Sequence, residues 1–223
     1  APQLTTIHHR ILRHHDTARK RPEAAGTGLR PIGAASKPTV WAGQDDVMVI
    51  ARATRKLLQR LGPPSPDVDV STTLLGDWYA THLPWRPRQV VLLVNERTLL
   101  PLLMPLAPAA TFLARFPDEL ARLLEAHRLP PSTVAVEVAA TRDARLATTA
   151  SRSLVGSMNE FAFLAQGHRT AGSEPDLLEL SLTLSRTPCS PLYHRHVSPD
   201  REIAALLAEQ PTWPVPPPHQ APT

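Results

Sequence analysis

No apolar pattern is sustained over the first 47 residues, whereas from Met48 onward strand-like and helix-like periodicities follow one another almost without a break. Met48–Ala53 reads as a strand. Thr54–Leu61 reads as a short helix, with Thr54 placed to cap it and Gly62, Pro63 and Pro64 placed to stop it. Trp78–Leu83 and Gln89–Val94 are strands, the second an unbroken apolar run of the kind that buried strands show. Asn95-Glu96-Arg97 is the turn into a further strand, Thr98–Leu106. Its Pro101 and Pro105 lack the N–H that an interior ladder needs, which places it at a sheet edge or breaks it with bulges.

The second half is mostly helical. Phe112–His127 carries Phe112, Phe116, Leu120, Leu123 and Leu124 near one face, with Pro117 suited to a first helical turn. Ser132–Ala140 is another helix, Ala144–Thr149 a short strand, and Ser151–Gln166 a helix with its apolar stripe on Leu154, Val155, Met158, Phe161 and Leu164, closed by Gly167. Leu177–Arg186 alternates leucines as a strand would, but Leu and Glu are strong helix formers and Ser173-Glu174-Pro175-Asp176 opens it as a helix cap does, which predicts a helix. Pro199–Glu209 is a last short helix. The fold class expected is α+β: a single domain over 48–210, with a mainly antiparallel sheet and helices packed on one of its faces. A disordered basic arm at 1–47 and a Pro-rich disordered tail at 211–223 flank it, and Met48, directly before the first strand, is the expected biological start.

At 223 residues the chain has room for one such domain plus tails. Its formal charge of +4 sits mostly outside the domain, because residues 1–47 hold seven Arg or Lys against four acids while the rest is nearly balanced. A nucleic-acid module would concentrate its basic residues on the folded part, where ordered cations neutralise phosphates, so nucleic acid is the weaker choice of partner. A single cysteine, Cys189, allows no intramolecular disulfide, and no apolar run approaches the roughly 18 residues of a membrane helix. The expected setting is the cytoplasm, with no membrane contact. Arg outnumbers Lys 21 to three, a bias of GC-rich bacterial genomes.

Three segments mix apolar patterning with polar residues that packing alone does not explain: Leu74–Trp85, Val90–Pro105 and Ser151–Leu164. Within them stand Asp77, His82, Glu96, Arg97, Arg152, Ser153, Asn159 and Glu160. A base among His82 and Glu96 with an anion clamp from Arg97 or Arg152 would suit acid/base chemistry on a phosphate or carboxylate. The competing reading has Asp77 and Asn95 making turns, Ser151 or Ser153 capping a helix, and the charged residues pairing, and it carries more weight. The best candidate anion site is Arg97 with the helix start at Ser151, Arg152 and Ser153. Gly156-Ser157 lacks the second glycine of a nucleophile elbow, and no phosphate-loop or dinucleotide glycine motif occurs. Cys189, His194 and His196 offer three zinc-type donors without an evident fourth, so no metal and no cofactor is expected. Trp78, Tyr79 and Trp85 beside Arg86 and Arg88 fit an aromatic strand closing a core better than a stacking platform.

The succession LLGDWYATHL, VNERTLLPLLMP, SRSLVGSMNEFAF and DLLELSLTLSRTPCSPL resembles an uncharacterised bacterial family, domain of unknown function 6933, over about Met48–Leu207. Thr81-His82 stands where the family pattern has Asn-Leu, and Ser151 where it often has Asn. The resemblance implies no activity. The functional expectation is a binding or interaction module with an unidentified ligand or protein partner; the alternative is a hydrolase acting on a phosphate-containing or nucleic-acid substrate.

Overall fold

The computed structural model describes residues 48–66, 71–169 and 174–208. The arm expected at 1–47 and the tail at 211–223 lie outside the described residues.

Five strands form one sheet in the order β4-β3-β2-β1-β5, with β1 Val49–Ala53, β2 Trp78–Leu83, β3 Val90–Asn95, β4 Pro101–Pro105 and β5 Ala144–Thr148. The hairpin strands β2, β3 and β4 are antiparallel, as their short connections require. The sheet as a whole is mixed, not mainly antiparallel, because β1 is parallel to both of its neighbours, β2 and β5. The chain from β1 to β2 is long enough to cross over through α1, Arg55–Leu61, and β5 arrives beside β1 after two helices, α2 Phe112–Ala126 and α3 Pro131–Ala140. Such crossovers deliver a strand in parallel.

Helices cover both faces of the sheet, not one. On the first face Val49, Trp78, Ala80, Val91, Leu93 and Met104 pack with Phe112, Phe116, Leu120 and Leu123 of α2, and with Leu57, Val134 and Ile203 from α1, α3 and α6, Pro199–Ala208. Trp78 and Phe116 meet edge to face, ring centroids 5.6 Å apart. On the second face Tyr79, Val90, Leu92, Val94 and Leu103 pack with Met158, Phe161 and Ala165 of α4, Arg152–Gly167, and with Leu180 and Leu184 of α5, Leu177–Ser185. The unbroken run of β3 demands this arrangement, since all six of its residues are buried and successive side chains point to opposite faces.

Several local expectations shift. Thr54 stands at the α1 N-cap but does not cap; its hydroxyl lies 3.2 Å from that of Thr81. Pro117 falls inside α2, which begins at Phe112. The strand expected from Thr98 begins at Pro101, because Asn95–Leu100 closes as a wider turn with Leu99 in the left-handed region at φ 58°. That backbone costs about 1–2 kcal/mol for a non-glycine residue, and burial of the Leu99 side chain in the second-face core offsets it. The leucine-rich segment is helical as expected, and the Asp176 carboxylate accepts from the N–H groups of Leu178 and Glu179 at 2.9 and 3.1 Å.

β4 is an edge strand, as its prolines require. The outward N–H of Leu103 donates to the Ser181 hydroxyl of α5 at 2.9 Å, and that hydroxyl donates in turn to the Leu177 carbonyl at 2.7 Å. Pro101 and Pro105 share the outward parity of Leu103, so the edge carries one donor and it is met. Ser181→Ala leaves that buried donor unpaired and is expected to cost about 1–2 kcal/mol, read from urea unfolding.

Candidate functional site

Three segments far apart in sequence meet over the second face at β1 and β2: the loop Leu74–Asp77, the turn Asn95–Thr98, and the entry to α4 at Ala150. Asn95, fully buried at the end of β3, organises the first two. Its Nδ2 donates to the Leu75 carbonyl at 2.9 Å, and its Oδ1 accepts from the N–H of Arg97, the N–H of Thr98 and the Thr98 hydroxyl at 2.9–3.1 Å. The Glu96 N–H donates to the Asp77 carbonyl at 2.9 Å, and Arg97 Nη1 donates to the Leu74 carbonyl at 2.8 Å. From the other side Glu137, the one charged residue of α3 and 2% exposed, accepts from the N–H groups of Leu74 and Leu75 at 3.0 and 3.1 Å. Gly76 has φ +73°, and a Cβ there would stand 3.2 Å from Arg97 Nε. Only glycine lets the loop take that path with Arg97 lying across it.

These contacts leave a cleft of about 300 Å³, lined by Arg52, Asp77, Tyr79, Glu96 and Arg97, with Ser71, Gly76 and Ala150 completing the wall. Arg52 and Tyr79 are register partners on adjacent strands. Arg52 Nε donates to the Asp77 carboxylate, which is nearly buried, so these two charges are spent on each other. Glu96 and Arg97 are exposed at the mouth. Among the described residues the Glu96 carboxylate has no hydrogen-bond or ion-pair partner, and Arg97 uses one guanidinium nitrogen, on Leu74. Partial burial, and then the neighbouring Asp77 charge, push the Glu96 carboxyl above the ordinary glutamate range, while Arg52 and Arg97 pull it back. Burial likewise raises the Tyr79 phenol, against the opposing pull of Arg52.

A family profile, Domain of unknown function (DUF6933), matches residues 50–202, more than half of the chain. The chain belongs to this family. The matched span includes every cleft-lining residue of this DUF6933 domain and all five strands except Val49, the first residue of β1. No curated protein and no solved structure matches the chain.

Of the polar residues singled out from the sequence, the structure brings Asp77, Glu96 and Arg97 together in the cleft. Ser151 stands beside it and caps α4, its hydroxyl accepting from the Leu154 N–H at 3.3 Å. Arg152 and Ser153 are exposed on the first turn of α4 and do not line the cleft; Asn159 and Glu160 are exposed further along that helix. His82 lies at the opposite end of β2 from Asp77, roughly 16 Å along the strand. There burial, and after it the Arg60 charge, lower its pKa, against the opposing effect of a hydrogen bond that its ring donates to the Gln89 side chain.

Sequence reasoning missed Arg52, Tyr79 and Glu137 as parts of this assembly. Two of them carried a signal: a lone arginine inside the buried strand VIARA and a lone acid inside the helix PSTVAVEVAA each need a partner when buried. Cys189 is buried with Sγ 3.3 Å from the Thr187 carbonyl, and burial pushes its thiol up to about 11. His196 Nδ1 is engaged by Glu202 at 2.8 Å. Among the described residues no three His, Cys, Asp or Glu side chains gather as a metal site would need, and no helix is long and apolar enough to cross a membrane.

Proposed function

We propose that this domain is a small-ligand-binding module whose site is the cleft between the Leu74–Asp77 loop, the Asn95–Thr98 turn and the start of α4. The observation that carries the reading is the unequal use of the four charges there. Arg52 and Asp77 neutralise each other within the wall, whereas Glu96 and Arg97, adjacent on a turn braced by Asn95, keep hydrogen-bonding capacity directed at open space. A structural ion-pair network would spend both. Rigid placement by buried polar groups is what a preorganised site requires, and a concave polar surface fed by several segments is where ligands bind. The hydrolase reading loses support because Arg152, its second anion clamp, is not among the cleft-lining residues, and no described nucleophile and base stand paired within it.

The test is ligand screening by amide chemical shifts on the full chain with a chemically mixed fragment library. Hits are expected to move the Gly76, Arg97 and Ala150 signals, and Ala150→Trp, which fills the cleft, is expected to abolish those shifts. Hits that all map elsewhere would reject the cleft as the site.

A further inference from the structure

We infer that the cleft takes a small zwitterion of the α-amino acid class, with the ligand carboxylate on Arg97 and its ammonium on Glu96. This rests on the binding reading above and specifies its ligand. Once Arg52 and Asp77 are set against each other, the unspent capacity of the wall is one guanidinium edge and one carboxylate, side by side on the same turn. A ligand with a single negative group satisfies Arg97 but approaches the Glu96 and Asp77 carboxylates without compensation. A simple amine satisfies Glu96 but leaves Arg97 facing only water. A molecule carrying both charges a few ångströms apart answers both and brings no net charge into a cleft that is itself balanced.

The geometry of Arg97 suits this role. With Nη1 tied to the Leu74 carbonyl and its chain lying over Gly76, the guanidinium is held in one orientation, and a planar fork is matched to a carboxylate by two parallel hydrogen bonds. Glu96 is the member of the cleft most in need of a cation: partial burial and Asp77 disfavour its charge, and neither Arg52 nor Arg97 forms a close ion pair with it. The size agrees, since about 300 Å³ stands at the lower end of small-molecule pockets and suits a metabolite of this size better than a nucleotide.

The experiment is calorimetric titration of the full chain with the twenty free amino acids at millimolar concentration, followed for each binder by its α-carboxamide, its N-acetyl derivative and its decarboxylated amine. At least one amino acid is expected to bind, with each of the three analogues weaker by tenfold or more. Because Arg97 also braces the loop, the ligand analogues carry the test and protein variants refine it: Glu96→Gln is expected to erase the discrimination against the N-acetyl derivative while sparing that against the carboxamide. If inorganic phosphate or acetate binds as tightly as the best amino acid, the cleft is an anion site and the inference fails. If the decarboxylated amine binds as tightly, it is a cation site and the inference fails equally. If no amino acid binds while fragments still occupy the cleft, the zwitterion is wrong and the binding reading stands; if neither binds, both fall.

Discussion

Glu137→Gln is expected to lower the free energy of unfolding by about 3 kcal/mol, although it is nearly isosteric. Both oxygens of the buried carboxylate accept backbone N–H groups, those of Leu74 and Leu75. A glutamine side chain offers one acceptor and turns its NH2 toward the second donor, so one buried N–H is left opposed as well as unpaired, at about 1–3 kcal/mol for each such group. Urea unfolding measures the loss, and a change below about 1 kcal/mol would mean that the carboxylate is not what holds the loop. The pH dependence has a definite sign. Burial pushes the Glu137 carboxyl up, and the N–H groups of Leu75 and Leu74, the Thr73 hydroxyl and the Arg97 charge pull it back. With the folded pKa above the unfolded one, the folded state binds more protons between the two. The wild type therefore loses stability as pH rises from the ordinary glutamate range through the raised value, and is level above it. The stability difference between wild type and variant, followed over that window, is expected to shrink with rising pH.

Asn95→Asp is the second large effect, expected at about 3 kcal/mol, and it separates two roles of one side chain. The acceptor that closes the turn is kept, because a carboxylate oxygen still receives the N–H groups of Arg97 and Thr98. The donor to the Leu75 carbonyl is lost and a negative charge is set against that oxygen in a fully buried position. Asn95→Ala removes both roles, so a comparably large loss in both variants assigns the stability to the Leu75 bond. A loss confined to alanine assigns it to the turn.

How far the fold was legible follows from what each signal depends on. The helices and the hairpin strands are local matters of period, caps and prolines. They stand within a residue or two of where the pattern puts them, except at Thr98–Leu100, where the Asn95 side chain diverts the chain into a turn that no periodicity marks. The direction of β1 relative to its neighbours is set by crossovers, and hydrophobic spacing is blind to it. The second helical layer was written in the unbroken run Val90–Val94, whose two buried faces need two covers. In the cleft, Asp77, Glu96 and Arg97 were visible as polar residues inside dense motifs. Arg52 showed only as a charge in a buried strand that needs a partner, because that partner, Asp77, lies beyond α1. His82, Asn159 and Glu160 met the same polar criterion and went elsewhere, since membership of a motif places a residue along the chain and not at a point in space.

The interior position of β1, next to the edge strand β5, has a consequence for how the chain reaches this state. Its partners are β2 on one side and β5 on the other, and β5 is the last strand to be synthesised, after β3, β4, α2 and α3. Until Ala144–Thr148 has emerged and docked, one flank of a strand whose residues are almost all destined for the interior stands open. Such an edge invites pairing with other chains, and non-local closure of this kind slows folding. A nascent or truncated chain ending before Ala144 is therefore expected to be the aggregation-prone species of this protein, with β5 as the late latch that ends the exposure.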